Sequence, residues 1–470
     1  EGAAQTGSVI VSELNRLLPH CVHLDADEED ALARVEGAPP AFLLTASRWG
    51  RSDPLSAALR SYFSSRSDYA GRLAGIGRAA SHAPARFENP ANARRLFGDQ
   101  LYLSASRVEV YHKCRFQYFC RYGLNAQPRK IAKLDPLSSG TVVHDVLERL
   151  LRSHSPQALH EMGREWRAEQ IRALLLSYLE EKMGGAQEKP KRFSYQFARL
   201  SVVLEEVVDR LCAEFLQSSF EPADFELRID KDGLVAPYAL PLPDGGTLQI
   251  KGSIDRVDRM ERDGKAYLRV VDYKSGGKEF LLSDVLNGLN MQMLIYLMCL
   301  WQNGAERYGE VIPAGILYMP VKSTPATLGR DATQAEIDKA RAKACRMSGM
   351  VLDHSLVIDG MEEDGKGIFI PARREKDGGV KGTLINLAQL SRLQQKMDGI
   401  LTEMGESLHR GEIGAVPSFG AGYDRVCDWC DYKSVCGYEP GAPVRPIEKL
   451  THTQSLERLE SLGKEEPRHG

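Results

Sequence analysis

The alternation of apolar and polar residues is clearest in one hairpin near the middle of the chain. Two runs rich in β-branched and apolar residues, Leu248–Val257 and Ala266–Tyr273, flank a polar turn that has Asp263 and Gly264 at its centre. An Asp-Gly pair favours a tight turn because glycine adopts the positive φ that such turns need. The pattern therefore predicts two antiparallel strands joined by a short turn.

Three charged side chains are predicted near the ends of these strands. Asp255 belongs to the first strand and Asp272 to the second, and Lys274 shares a face with Asp272 because side chains alternate along a strand. Two carboxylates and an ammonium group are costly to bury. A divalent cation would neutralise the acids and leave the lysine to contact a water or a phosphate. The alternative is structural: Asp255 pairs with Arg256 or Arg259, and residues 272–274 are the solvated end of a strand.

Helical and strand periodicity outlines the rest of the chain. Residues 1–100 are interpreted as an α/β segment, with short buried strands at 8–11 and 41–45 and helices at 27–35, 54–63 and 68–80. Further on, strands are predicted at 226–235, at 314–320 and within 351–385. Helices are predicted from about 104 to 122, at 141–153, within 156–220, and at 284–301, 333–349 and 385–411.

Length and composition fit a globular protein of two or more domains. The 470 residues are 43% hydrophobic and 27% charged, and no apolar run approaches the length of a membrane span. The predicted boundaries are 1–100 for the α/β segment, 101–440 for the main domain and 441–470 for a charged tail. The first residues include neither a methionine nor an apolar signal core, so we expect a fragment of a longer protein or a processed chain.

Charge and motif content limit the function classes. The formal net charge of −3 gives no overall basic footprint of the kind many DNA-binding domains carry. Cations can still concentrate in one channel or come from a partner protein. No G-x-x-x-x-G-K-[ST] loop occurs in the sequence, so this chain carries no Walker-type ATP site.

Four of the nine cysteines have a spacing that suggests a shared ligand. Cys114 stands far upstream, and Cys427, Cys430 and Cys436 form a C-x-x-C-x-x-x-x-x-C motif. Four thiolates suit either Zn²⁺ or an iron–sulfur cluster, and C-x-x-C by itself is also the pattern of a redox pair. Spacing does not separate these alternatives. The remaining five lie in apolar or helical settings and are interpreted as packing residues: Cys21, Cys120, Cys212, Cys299 and Cys345.

Two further motifs flank the hairpin on predicted helices. Gly140 and His144 form G-x-x-x-H upstream, and Gln292 and Tyr296 form Q-x-x-x-Y downstream, where a spacing of four puts both on one helix face. Together with G-x-x-D-R at 252–256 and D-Y-K at 272–274, the ordered motifs resemble the PD-(D/E)XK nuclease superfamily, specifically its RecB-like branch. The resemblance extends over about residues 101–440.

This resemblance implies a fold, a metal ion and a set of residue roles. The fold would be an α/β core, a mixed sheet flanked by helices and closed by the four-cysteine cluster. Lys274 would orient or activate the attacking water, while Gln292 and Tyr296 would hold the DNA backbone or the lysine. The metal, Mg²⁺ or Mn²⁺, would take its ligands from four positions: the side chains of His144, Asp255 and Asp272 and the backbone carbonyl of Tyr273.

The cysteine arrangement resembles the iron staple of AddB-type proteins, in which one cysteine precedes the nuclease core and three follow it. By that resemblance Cys114, Cys427, Cys430 and Cys436 would bind a [4Fe–4S] cluster, and residues 1–100 would end a helicase-like module. The implied function is metal-dependent, exonucleolytic cleavage of DNA, single-stranded or at duplex ends, in double-strand-break repair. The protein would be cytoplasmic and act with an AddA-type helicase–nuclease partner. The alternatives are a stand-alone RecB-family exonuclease and a catalytically silent scaffold that holds DNA ends.

Overall fold

The chain divides into two compact units, Glu1–Ala83 and Pro84–Gly470. The first unit ends ahead of the predicted boundary at residue 100. In a computed structural model, the described residues are 9–20, 35–80, 85–127, 139–183, 191–274, 276, 280–321, 332–363, 365–439 and 441–462. Within these ranges, no helix combines the length and the apolar character that crossing a bilayer requires.

The described part of the first unit is helical. Its helices are α1 (Val9–Leu17), α2 (Ala38–Ser47), α3 (Pro54–Ser65) and α4 (Ser67–Ala80), so the helices predicted at 54–63 and 68–80 are confirmed. Asp53 caps α3 by accepting a hydrogen bond of 3.0 Å from the Ser56 amide. A small core of its own, which includes Phe42, Leu59 and Phe63, holds α2 and α3 together.

The two strands predicted in the first unit are wrong. Residues 9–11 lie in α1 and residues 41–45 lie in α2, so the described segment is helical rather than α/β. Pro39 and Pro40 explain the second error, because proline fits the first turn of a helix. A short apolar run cannot by itself be assigned to a strand rather than to a helix. The helix predicted at 27–35 lies outside the described residues except for Val35.

The second unit contains all the strands that the structure describes. In chain order they are β1 (Gln100–Ser104), β2 (Glu221–Ile229), β3 (Tyr238–Pro241), β4 (Thr247–Arg262), β5 (Lys265–Lys274), β6 (Glu310–Pro320), β7 (Ser348–Leu352), β8 (Ala372–Arg374), β9 (Val380–Gly382), β10 (Leu384–Ile385), β11 (Ser418–Phe419) and β12 (Arg445–Pro446). Eight of them form a mixed sheet with the order β1-β4-β5-β6-β7-β10, in which β2 and β3 also pair with β4. Two small pairs, β8 with β9 and β11 with β12, lie outside it.

The predicted hairpin is the centre of this sheet. Strands β4 and β5 pair antiparallel from Arg262 opposite Lys265 to Arg256 opposite Val271. The turn between them is Asp263-Gly264, with φ of 52° and 73°, as a two-residue turn with positive φ at both positions requires. On its other edge β5 pairs parallel with β6.

Helices cover both faces of the sheet. They are α5 (Pro90–Phe97), α6 (Ala105–Lys113), α7 (Arg115–Tyr118), a π-helical turn (Phe119–Gly123), α8 (Ser139–Ser153), α9 (Pro156–Glu161), α10 (Gly163–Met183), α11 (Lys191–Phe215), α12 (Leu282–Leu286), α13 (Gln292–Asn303), α14 (Ala305–Tyr308), α15 (Gln334–Ala344), α16 (Ser355–Met361), α17 (Leu387–His409) and α18 (His452–Leu462). Alternate residues of β5 enter two separate cores: Leu268 and Val270 pack with α6, α13 and α17, whereas Val271 and Tyr273 pack with α8, α10 and α11. The hairpin is therefore buried on both faces.

Two predictions for the second unit need correction. The helix predicted at 284–301 is two helices, α12 and α13, because Gly288 and Asn290 between them have φ of 72° and 54°, which ends a helix. The region predicted as a charged tail, 441–470, contains β12 and α18. Leu459 of α18 is only 2% exposed and joins the core formed by α13 and α17, so this helix is part of the domain.

Candidate active site

The candidate site lies where β4 and β5 stop pairing. The last paired residues are Arg256 and Val271, so the next residues, Asp255 and Asp272, stand opposite each other. Instead of continuing the ladder, the Tyr273 amide donates a hydrogen bond of 2.9 Å to Asp255 Oδ2. The hairpin thus presents two carboxylates side by side in a buried position.

Lys274 lies next to Asp272, as the alternation of side chains predicts. Its Nζ is 2.6 Å from Asp272 Oδ2, and Asp272 is 3% exposed. The ammonium group is held at the edge of the acidic pair, with one side open to solvent. It is therefore placed to meet a ligand that the carboxylates bind.

Helix α8 brings His144 to the same place from the other face of the sheet. His144 Nε2 lies 3.2 Å from the carbonyl oxygen of Tyr273 and 3.5 Å from Asp255 Oδ2. The β-strand supplies the carbonyl and the carboxylate, and the helix supplies the imidazole. The residues of three predicted motifs thus come together in space.

Glu226 is a site residue that the sequence motifs do not include. One of its carboxylate oxygens lies 3.7 Å from His144 Nδ1, and the other accepts a hydrogen bond of 2.9 Å from Ser253 Oγ. Its φ is 46°, a left-handed conformation that is rare for glutamate and costs backbone energy. The strand prediction that begins at Glu226 was the only sequence signal near it, since nothing in the residue type predicts that backbone conformation.

The donor set fits a divalent cation. His144, Glu226 and Asp255 each offer one ligand atom, and the three atoms lie within 4.8 Å of one another. Carboxylate oxygens and a neutral imidazole suit Mn²⁺ well and Mg²⁺ in part. The geometry places Glu226 in this group directly, whereas Asp272 lies beside it and is engaged by Lys274.

Electrostatics shows that the site lacks positive charge. Burial, together with the neighbouring Asp272 carboxylate, raises the pKa of Asp255 to about 7. Burial alone would lower the pKa of His144, but the hydrogen bond to Glu226 and the charge of Asp255 outweigh it and raise that pKa to about 9. Asp255 and His144 therefore hold protons more tightly than usual, and these protons supply positive charge that a bound cation would otherwise supply.

Gln292 and Tyr296 reach the site from α13. Burial, with the charges of Asp255 and Asp272, raises the pKa of the Tyr296 hydroxyl to about 12, and this hydroxyl also interacts with the Gln292 side chain. A Cβ atom on Gly252 would lie 2.1 Å from that hydroxyl, so glycine is required for the ring to pack there. The first residue of the G-x-x-D-R motif thereby makes room for the last residue of Q-x-x-x-Y.

The purely structural alternative for the hairpin acids does not match the contacts. Arg256 pairs with Asp258 at 2.8 Å, and Arg259 pairs with Glu261 at 2.7 Å. Neither arginine is ion-paired with Asp255 among the described residues. The buried acid of this motif is therefore left for another partner.

The four motif cysteines line one small cavity. Cys114 lies between α6 and α7, and the other three follow α17, yet all four border this cavity. Burial and the neighbouring thiols raise the pKa of Cys427 and of Cys430. Cys120, interpreted as a packing residue, is buried nearby, but it does not border the cavity.

Comparison with known proteins supplies the class. Residues 102–437 match the family model described as the PD-(D/E)XK nuclease superfamily, and the chain belongs to that superfamily. The predicted class of fold, a mixed sheet flanked by helices, is confirmed. The closure of this fold by a metal cluster stays a prediction.

Individual relatives agree with the resemblance to AddB-type proteins, since each is named as the B component of an ATP-dependent helicase/deoxyribonuclease. The chain is 29% identical over 458 residues to the one from Thermoanaerobacter sp. (strain X514), covering 93% of this chain and 40% of that protein. It is 33% identical over 354 residues to the one from Clostridium botulinum (strain Hall), covering 74% of this chain and 31% of that protein. A third, from Caldanaerobacter subterraneus subsp. tengcongensis, is 28% identical over 99% of this chain and 42% of its own length. The chain thus spans well under half the length of these relatives.

Proposed function

We propose that this chain is a metal-dependent deoxyribonuclease that hydrolyses phosphodiester bonds of single-stranded DNA, acting as an exonuclease on strands delivered by a helicase. The observation that carries the proposal is the convergence of His144, Asp255, Asp272 and Lys274 at the end of the β4–β5 hairpin. Membership in a nuclease superfamily and similarity to proteins named as components of a helicase/deoxyribonuclease support it.

The residues of the site divide into ligands and groups that act on the reacting atoms. His144, Asp255, Glu226 and Asp272, with the Tyr273 carbonyl, would hold a Mg²⁺ or Mn²⁺ ion. When bound, such an ion lowers the pKa of a water molecule and screens the charge of a phosphate. Neutralisation of the acids also removes the reason for His144 to carry a proton, so the imidazole is free to act as a ligand.

Lys274 would contribute the positive charge on the protein side. Its ammonium group is anchored by Asp272 at 2.6 Å and is partly exposed, so it can position the attacking water and stabilise charge that develops on the phosphate. Gln292 and Tyr296, which approach the acids from α13, would hold Lys274 or the DNA backbone. Such roles belong to the transition state rather than to metal binding.

For the cysteines we propose a [4Fe–4S] cluster that fastens the two ends of the domain together. A single Zn²⁺ with Zn–S bonds of about 2.3 Å would hold the sulfur atoms roughly 3.8 Å apart. All four motif cysteines border one cavity, as a shared ligand requires. The choice of a [4Fe–4S] cluster over zinc rests on the resemblance of the cysteine spacing to the iron staple of AddB-type proteins.

Loss of the cluster should loosen the ends of the domain and leave the hairpin in place. We expect Cys114→Ala to lose its iron and to become protease-sensitive around residues 101–125 and 415–440, because these two segments carry the four cysteines. Iron analysis and limited proteolysis of anaerobically prepared protein check this. A variant without iron that keeps both segments protected would show that the cluster is no staple, and zinc in place of iron would refute its assignment.

The remaining part of the proposal concerns biological context. We propose a role in double-strand-break end processing, in a hetero-oligomer with an AddA-type helicase–nuclease protein in the cytoplasm. The support is that the relatives are named as one component of a larger enzyme.

The test compares two lysines of the same strand. Lys274 ends β5 at the acids, whereas Lys265 begins β5 and pairs with Glu310 at 2.7 Å. With Mn²⁺ and end-labelled single-stranded DNA, Lys274→Ala should cut about 100-fold more slowly or worse, as expected when one transition-state contact is removed. Lys265→Ala should cut like the wild type. Equal rates for both variants would refute the mechanism, and a wild type that binds DNA without cutting it would favour the silent scaffold.

A further inference from the structure

A second cavity lies in the larger unit, apart from the candidate active site and from the cysteine cavity. It has a volume of about 650 Å³ and is bordered by residues of α6, α12 and α17 and by the segments around 85–86, 412–416 and 443–446. None of the hairpin acids, His144 or Lys274 borders it. The volume falls within the range of small-molecule binding sites.

The charged side chains of its wall are mostly cationic. Arg86, Arg115, Lys396 and Arg445 face two carboxylates, Glu403 and Glu412. Glu412 is shared, because it pairs with Arg115, with Arg410 at 2.9 Å and with Ser407 Oγ at 2.8 Å. The wall therefore has more positive charge than its own acids neutralise.

Arg445 forms no ion pair with a carboxylate among the described residues. It donates hydrogen bonds only to neutral oxygens: the Asn287 carbonyl at 2.8 Å, the His112 carbonyl at 2.5 Å and Ser418 Oγ at 3.0 Å. A guanidinium has five N–H groups, so two remain without an acceptor in the part of the chain that the structure describes. Burial and, to a smaller extent, the nearby charge of Arg115 lower the pKa of Arg445, while the carboxylate of Glu403 acts in the opposite direction.

A buried polar atom in the same wall has no protein partner either. The Nε2 atom of His112 is inaccessible to solvent and makes no hydrogen bond within the described ranges. Its ring is fixed by close packing on Gly288, where a Cβ atom would lie 2.6 Å from it. Unsatisfied buried polar atoms are uncommon, and such an atom in the wall points to a partner outside the protein chain.

Part of the wall is apolar. Leu286, Ile400, Met404 and Val444 border the cavity, with prolines at 443 and 446. A ligand that matches both kinds of lining has an anionic group for the arginines and a flat or apolar group for the aliphatic side chains. A nucleotide has both, since its phosphate can take bidentate hydrogen bonds from arginine and its base can pack on aliphatic side chains.

We infer that this cavity binds the phosphate and base of a single nucleotide, with Arg445, Arg115 and Lys396 contacting the phosphate. The nucleotide has two possible sources: a free nucleoside monophosphate, or the 5′-phosphorylated end of a DNA strand. The chemistry recognised is the same in both. The inference does not depend on the proposed nuclease activity, because the residues of the two sites do not overlap.

Calorimetric titration without divalent cations tests the assignment, since no cleavage can then occur. The probes are deoxyadenosine 5′-monophosphate, deoxyadenosine, inorganic phosphate, and a tetranucleotide with and without a 5′-phosphate. We expect saturable binding of the monophosphate, at least about tenfold weaker binding of deoxyadenosine, and weaker binding of phosphate alone. Tighter binding of the 5′-phosphorylated tetranucleotide would assign the strand end as the source, and tighter binding of the monophosphate would assign the free nucleotide.

Two cavity variants and one control make the test specific. Arg445→Met should weaken binding of the monophosphate about tenfold or more. Arg445 also donates hydrogen bonds to the His112 carbonyl and to Ser418, so its substitution could disturb the fold as well as the cavity. Lys396→Met therefore serves as a second variant, because Lys396 forms no ion pair among the described residues. We expect its affinity for the monophosphate to fall severalfold. Arg164→Met, the same change at an exposed residue of α10 that does not border the cavity, should bind like the wild type. The inference would be overturned if Lys396→Met bound the monophosphate with wild-type affinity, or if Arg164→Met lost as much affinity as the cavity variants. It would also be overturned if the wild type bound deoxyadenosine or phosphate as tightly as the monophosphate, or did not bind the monophosphate at millimolar concentration.

Discussion

The β4–β5 hairpin carries two buried charge clusters, and they differ in whether the protein itself balances their charge. In the first cluster, Arg256 and Arg269 are matched by Asp258 and Glu214, and all four side chains are at most 1% exposed. In the second, the carboxylates of Asp255, Asp272 and Glu226 are ion-paired, among the described residues, with Lys274 and the imidazole of His144. The first cluster is complete, whereas the second retains negative charge that a ligand can neutralise.

Tyr273 connects the two clusters. Its hydroxyl accepts a hydrogen bond of 3.0 Å from Arg256 in the balanced cluster. Its backbone serves the acidic one, where the amide donates to Asp255 and the carbonyl lies 3.2 Å from His144. The balanced cluster therefore holds the strand that positions the ligands, and we interpret it as structural support for the active site.

Removing one acidic charge from the second cluster should lower activity, whereas removing one from the first should lower stability. Asp272→Asn keeps the shape of the side chain but removes its charge, so we expect single-stranded DNA cleavage with Mn²⁺ to fall by about 100-fold or more. The melting temperature should stay within a few degrees of the wild-type value, because the loss of one negative charge reduces the repulsion among the acids. Rates measured on end-labelled DNA, with melting curves for the same samples, test this. Cleavage like that of the wild type would contradict the assignment.

The balanced cluster should show the opposite pattern. Asp258→Asn leaves Arg256 and Arg269 buried with only Glu214 as a counter-charge, and breaking such a buried pair costs about 3–5 kcal/mol of unfolding free energy. Urea denaturation measures the loss. Glu261→Gln, which removes an exposed acid paired with Arg259 on the same strand, should change the free energy by no more than about 1 kcal/mol. Equal stability of the two variants would show that the buried cluster contributes no support.

Glu226 sharpens the comparison because no motif includes it. Glu226→Gln should weaken Mn²⁺ binding by about 10- to 100-fold, as expected for a carboxylate that orients or joins a ligand set. Loss of its hydrogen bond should also bring the pKa of His144 down from about 9. Glu148→Gln is a matched control, since Glu148 lies one turn beyond His144 and pairs with Arg152 at 2.9 Å. If both variants bound Mn²⁺ alike, Glu226 would have no part in the site.

The sequence predicted the hairpin and most of the candidate site because those features are local. Asp263-Gly264 specifies the turn, and the spacing of two residues places Lys274 beside Asp272. Glu226 could not be predicted, since its position depends on a left-handed backbone conformation and on pairing of β2 with β4. The strand predicted at 41–45 failed because a short apolar run has no periodicity of its own, and the two prolines that precede it specify a helix start instead.

Calorimetry of Mn²⁺ binding as a function of pH tests the central claim most directly. Asp255, with a pKa raised to about 7, and His144, with a pKa raised to about 9, hold protons that a bound cation must displace. We therefore predict that Mn²⁺ binding releases protons near pH 7.5 and becomes tighter from pH 6.5 to pH 8.5, as titrations in two buffers of different ionisation enthalpy will show. Asp255→Asn should abolish the binding, and Lys265→Ala should preserve it. Binding that releases no protons, does not change with pH, or persists in Asp255→Asn would contradict the account.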